Sequence, residues 1–157
     1  MYASSFFWRH PELETVILRP VHIVGPVKNA PTNYLRKLSV PTLLGYDPMI
    51  QLIHVNDVIS AIQCALKPGI RGIYNVAGPG EIPLSELLRQ LNRTRMMIPE
   101  SVARPVLSTL FRWRLSSFPV EELDHIKYVC MVDDSLAREQ LRYKPNMTMA
   151  QTIADLR

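Results

Sequence analysis

Cysteine, glycine and long apolar runs are all scarce in this chain of 157 residues, and each shortage excludes something. The 2 cysteines, Cys64 and Cys130, make no disulfide framework and lack metal-ligand spacing. They are expected to act as small packing hydrophobes in a reduced, cytoplasmic setting. The 6 glycines fit neither G-x-G-x-x-G nor G-x-x-G-x-x-G, the turns that let a backbone approach a pyrophosphate. Gly78-Pro79-Gly80 is a lone turn. No apolar run approaches the roughly 18 residues of a membrane span, so no such segment is expected. The start, "MYASSFFWRHPELE", lacks the basic stretch and apolar core of a secretory signal. There is no internal repeat and no low-complexity tract.

What remains is ordinary for a soluble globular protein: 47% hydrophobic and 20% charged residues, on a chain long enough for one domain with a sizeable core. The net charge is +4, and the excess is uneven. Arg89, Arg93, Arg95, Arg104, Arg112 and Arg114 face a single acid, Glu100, over positions 89 to 114. Such a patch either meets phosphates of a nucleotide, a nucleic acid or a lipid headgroup, or is a solvated face with local ion pairs.

Strands alternate with helices along the chain. Residues 2 to 9 read as the end of a helix, closed because Pro11 disfavours helical geometry at His10. "TVILRP" lacks polar alternation until Arg19, as expected of a strand covered on both faces in a parallel sheet. A loop follows at 24–31, then a short helix from Thr32 to Leu38, then two short strands within "VPTLLGYDPMIQLIHV". "VNDVISAIQCALKPG" carries apolar residues at helical spacing, with Asn56 or Asp57 as its cap and Pro68-Gly69 ending it. "GIYNVAGPGE" reads as a buried strand running into a turn, and "IPLSELLRQLN" as a helix capped by Ser85. "RTRMMIP" is a strand, followed by one or two helices over 100–114. "PVEELDHI" starts a further helix with proline in its first turn. "YVCMVDDSLAREQL" is strand then helix, capped by Asp133 or Asp134, and "TMAQTIADLR" is the last helix. The fold class is α/β.

"ILRPVHIVGP", "QLIHVNDVISAIQCAL", "GIYNVAGPGEIPLSELL" and "VDDSLAREQLRYKP" follow one another in this order. Together they resemble the C-terminal half of an extended short-chain dehydrogenase/reductase, the NAD-dependent epimerase/dehydratase family with hydroxysteroid-dehydrogenase-like relatives. The resemblance implies the C-terminal part of a Rossmann-type NAD(P)-binding fold plus its small α/β substrate-binding lobe. Residues 1–26 would end the Rossmann portion. Residues 27–157 would be mainly substrate lobe, with 51–78 packing back on the Rossmann sheet. Pro20 and Val21 would approach the nicotinamide of NAD or NADP. His22, Gly25, Pro26, Arg36 and Gln51 would face the substrate. His22 stands where sugar-nucleotide enzymes often carry Asn, and its plain alternative is a hydrogen-bonded structural histidine. "IHVNDV" resembles an element in which His54 and Asp57 tie a strand end to the next helix. Some members place a phosphate-binding Arg shortly before that histidine. Met49, Ile50, Gln51 and Leu52 stand there instead, so Arg36 or the arginines after position 89 would supply the contact.

The family's hydride chemistry uses a tyrosine as general acid/base and a lysine four residues later, whose charge favours the phenolate. After Tyr2, Tyr34, Tyr46, Tyr74, Tyr128 and Tyr143 the corresponding positions hold Phe6, Leu38, Ile50, Gly78, Val132 and Met147. The chain is therefore expected to be inactive alone, as an enzyme fragment, a truncated product or one half of a two-chain protein. Its partners would be a small-molecule substrate, a nucleotide sugar among the candidates, and the missing N-terminal half or a second copy. No nucleic acid and no membrane span are expected. Such a half would bare the apolar faces of "TVILRP", the helix at 57–67 and "GIYNVAG", making it marginal or oligomeric. Two other readings are a non-catalytic substrate-lobe module and a basic surface-binding protein that uses "RPVLSTLFRWRLSSF" at a membrane or nucleic acid.

Overall fold

The computed structural model describes residues 2–26, 31–113, 123, 127–128 and 131–156. Helix α1, Tyr2–Arg9, ends just before His10-Pro11. Strand β1, Val16–Pro20, then runs parallel to a later strand, Gly72–Val76, with Val16 opposite Gly72 and Pro20 opposite Val76. One residue on, β2, His22–Val24, pairs parallel with a different strand, Leu52–His54, with His22 opposite Leu52. One extended run thus changes partner between Pro20 and His22. Pro20 has no N–H to continue a ladder. The Val21 N–H donates to the Val76 carbonyl at 3.0 Å and closes the first pairing.

The middle of the chain forms a second group of elements. A 3-10 helix, Pro31–Arg36, stands where a helix to Leu38 is expected from sequence. The stretch expected to hold two strands holds three: β3, Ser39–Leu43; β4, Met49–Ile50; and β5, Leu52–His54. Helix α2, Val55–Ala65, then crosses over to β6, Gly72–Val76, the connection a parallel arrangement needs. Strand β7, Ile82–Pro83, pairs antiparallel with β4. Helix α3, Leu84–Gln90, leads to β8, Thr94–Ile98, which pairs parallel with β3. Helix α4, Glu100–Arg112, follows, then α5, Ser135–Gln140, and α6, Met149–Ala154. The architecture is α/β with three parallel strand pairs and one antiparallel pair among the described residues.

Two apolar clusters hold most of this together. Ile53, Ala61, Tyr74, Val76, Leu141 and Tyr143 join α2, β5 and β6 to the segment after α5. Val24, Leu35, Val40, Leu52, Leu87 and Leu156 join β2, β3 and α3 to the chain's end. A fully buried leucine such as Leu87 contributes about 2 kcal/mol. The faces expected to be bare are partly so. Val16, Ile17 and Leu18 of β1 are only half-buried, against the full burial that their apolar run predicts. Ile59 and Ile62 of α2 and Leu66 just beyond it are 49%, 44% and 77% exposed.

Three local expectations are corrected. The cap of α2 is His54, whose side chain accepts from the Asn56 N–H, rather than Asn56 or Asp57. Asp57 turns inward and is fully buried. Ser85 is not the cap of α3; it lies inside the first turn and is itself held by Asp47, which accepts from the Ser85 N–H at 2.8 Å and its hydroxyl at 2.6 Å. Residues 131–134 form no strand, because Val132 pairs with a side chain instead of a neighbouring backbone. At α5 both aspartates act: Asp133 accepts from the Ser135 N–H at 2.9 Å, and Asp134 pairs with Arg138. The helix expected at "PVEELDHI" lies almost wholly outside the described residues.

Candidate functional site

The ends of parallel strands open onto the crevice where α/β folds bind ligands. Here β2 ends at Val24, and Gly25-Pro26 turns away. Gly25 has φ 137°, and a Cβ there would lie 2.7 Å from Cγ1 of Val55 in the first turn of α2. A side chain is excluded by both conformation and space. The carbonyls of this turn are held from the 3-10 helix. The Thr32 hydroxyl donates to Ile23 O at 2.8 Å, and Arg36 Nη2 donates to Gly25 O at 2.7 Å. Gly25 and Arg36, chosen separately from sequence, therefore touch.

His54 supports the same turn from below and is buried. Its Nδ1 accepts from the Asn56 N–H at 3.2 Å, and its Nε2 lies 2.8 Å from the Asp155 carboxylate. Both bonds are made together by a neutral ring with its proton on Nε2. Asp57, three residues on, accepts from the Asn146 N–H at 2.8 Å. Both residues bind the end of the chain to the start of α2.

Pro20, Val21 and His22 occupy the point of partner exchange beside this turn. Gln51 directly precedes the register partner of His22. Its amide is engaged in both directions with Val132, donating to the carbonyl at 3.2 Å and accepting the N–H at 2.8 Å. Asn75 Nδ2 donates to Asp133 O at 3.1 Å, so residues 132 and 133 wall this side. Neither contact has a local signal in the sequence. Ser135 holds the Asp133 carboxyl below the usual carboxylate range, by its backbone N–H first and its hydroxyl second.

Gly78 completes the frame. Its N–H donates to Leu52 O at 3.1 Å, and a Cβ would lie 2.2 Å from that oxygen. Only glycine allows the strand end after β6 to come this close to β5.

Part of the arginine-rich stretch resolves into local pairs. Arg89 lies 2.6 Å from Glu86, Arg104 2.7 Å from Glu100, and Lys127 2.8 Å from Glu100. Hydrogen bonds from Arg89, then Gln90, hold the Glu86 carboxyl down at about 2. Lys127, then Arg104, lowers Glu100. Arg95 Nε donates to the Thr42 hydroxyl at 3.0 Å, and its Nη2 donates to Tyr46 O. Arg114 lies outside the described residues. Among the described residues no group of three His, Cys, Asp or Glu side chains is placed to hold a metal ion, and no helix is long and apolar enough to cross a membrane.

No protein-family model matches the chain. An uncharacterized protein of Mycobacterium tuberculosis is 26% identical over 155 residues, covering 98% of this chain and 41% of that protein. The chain thus spans about two-fifths of the length of this curated relative. RMD of Pseudomonas aeruginosa, solved in complex with NADPH, superposes with a TM-score of 0.66 at 15% identity, over 98% of this chain and 51% of its own. The dTDP-glucose 4,6-dehydratase of Bacillus anthracis, in complex with NAD, gives 0.64 at 18% identity, over 99% and 47%. The strand exchange at 20–22, the α2 crossover and the lobe around β3 and β8 therefore share the fold of about half of each of these two solved chains.

Proposed function

We propose that these 157 residues are the substrate-side half of an NAD(P)-dependent oxidoreductase that works on a nucleotide sugar in the manner of an epimerase or dehydratase. The observation that carries this is the glycine turn at 25, anchored by Arg36 and packed on α2 where the parallel strands β2 and β5 end. Pro20 and Val21 fit one wall of a nicotinamide site. His22, Gly25, Pro26 and Arg36 line the substrate side, while Gln51 fixes the adjoining wall through Val132. Arg89 and Arg104 are occupied by local carboxylates, while Arg36 stands on the turn itself, which favours Arg36 as the phosphate contact. Its guanidinium has five donors and places one on Gly25 O.

The residues present fit part of a dinucleotide only. A pyrophosphate cradle needs the glycine-rich turn that these residues lack. The cofactor would supply the hydride chemistry; this chain's own residues orient the sugar and exclude water. The tyrosine–lysine pair and the cradle would come from the remaining half of the protein. On this reading residues 1–26 belong with the dinucleotide half, and the cytoplasm is the compartment. A non-catalytic lobe that binds the nucleotide sugar without a cofactor is the second reading, favoured by the same absent pair.

Calorimetric titration of the 157-residue chain with NAD, NADPH and UDP-glucose tests this. The expected result is no stoichiometric NAD or NADPH binding, and UDP-glucose binding that Arg36→Ala weakens at least tenfold. Tight 1:1 NAD binding by this chain alone would overturn the half-enzyme reading. UDP-glucose binding indifferent to Arg36 would overturn the site.

A further inference from the structure

A cavity of about 380 Å³ lies away from the turn at 25, between the second half of α2 and the segment after α5. Lys67 enters its lining from just beyond the helix, and Arg142 and Lys144 from the segment. Among the described residues no carboxylate pairs with any of these three, and none lines the cavity. Asp57, which meets the back of the segment, is occupied by the backbone N–H groups of Asn146 and Met147. Arg89, Arg104, Lys127 and Arg138, by contrast, each lie within reach of an acid.

We propose that this cavity binds a phosphate monoester, a small phosphorylated metabolite distinct from whatever occupies the turn at 25. Three exposed cations share this lining, and a bound dianion relieves the repulsion among them. Lys67 and Arg142 each stand two residues beyond a helix end, after α2 and α5, where a cation also complements the helix dipole, whereas Lys144 has no such place. The Ser60 hydroxyl and the Gln63 and Asn146 amides add neutral donors to the same lining. One wall is rigid: Tyr143 is buried, and its hydroxyl donates to Ala77 O at 3.0 Å. Arg142, next to it, is held at φ 55°, a conformation that residues with a Cβ avoid. The volume sits at the low end of ligand pockets, which suits a phosphorylated small molecule and is too little for a dinucleotide.

The test is a titration of the full 157-residue chain, labelled with ¹⁵N, with inorganic phosphate and with glycerol 3-phosphate, against sodium chloride at matched ionic strength. The expected result is saturable shifts of the amides of Ser60, Gln63, Arg142, Lys144 and Asn146, with Gly25 unmoved. The paired exposed substitutions Arg142→Gln and Lys144→Gln should weaken the apparent Kd at least tenfold, and Lys67→Gln alone about threefold. Shifts reproduced by sodium chloride, or a Kd unchanged in the Arg142→Gln, Lys144→Gln protein, would overturn the proposal. Because these residues lie outside the turn at 25, failure here leaves the proposed function standing.

Discussion

The His54 Nε2 and the Asp155 carboxylate meet at 2.8 Å, joining residues 101 positions apart in the sequence. The same ring caps α2 through its other nitrogen. One side chain thus sets where the helix begins and where the end of the chain docks, and the turn at 25 packs on the first turn of that helix.

His54→Ala removes the cap and the tie to Asp155 together. The expected loss is about 3 kcal/mol, roughly 1 from the cap and the rest from a charged hydrogen bond and lost packing. His54→Asn keeps a good capping residue and should recover about 1 kcal/mol of this. Asp155→Asn keeps an acceptor at the surface and should cost less than about 1 kcal/mol. Urea unfolding of the three variants checks the order. Equal midpoints for His54→Ala and His54→Asn would remove the capping role.

Much of this frame is legible in the sequence. The apolar run of β1, the helical spacing of α2 and the strand β6 are each local patterns, and each forms where expected. The charged run after position 89 also yields part of its answer locally, since Arg89 with Glu86 and Arg104 with Glu100 sit three and four residues apart on helices. What is not legible depends on distant partners. Asp57 looks like a cap, but the Asn146 N–H, 89 residues on, draws it inward. Ser85 looks like a cap, but the acceptor is Asp47 from another loop. Gln51 looks like a free polar residue beside the site, yet its amide pairs with Val132 as a strand would. In each case a short polar side chain has several possible partners, and only the tertiary fold selects one.

Two glycines separate close approach from backbone conformation. Gly78→Ala places a Cβ 2.2 Å from a backbone oxygen that belongs to β5 and has no rotamer to escape by. The expected loss is about 3 kcal/mol, at the upper end for overpacking. Gly80→Ala meets nothing within 4 Å and carries only its φ of +71°, so about 1 kcal/mol is expected. Denaturant midpoints distinguish the two. Equal losses would mean that strand packing at Leu52 yields more readily than the geometry implies.

Alkaline pH should unfold this chain through its buried phenols. Tyr34 packs against the cluster around Leu35 and Leu87, and burial pushes its phenol up to about 12. Tyr143 is pushed up too, by burial first and by the Asp57 charge second. A phenol in the unfolded chain titrates near pH 10. Between that value and about 12 the folded state keeps a proton that the unfolded state has released. Stability is therefore fully present below about pH 10 and falls as pH rises through this window. Tyr34→Phe keeps the ring and removes the proton, so the variant should lose less stability over the same window. Urea midpoints at about pH 9 and pH 11, with tyrosinate absorbance followed alongside, measure the difference. If the variant and the parent lose stability equally, the phenol of Tyr34 does not couple folding to pH.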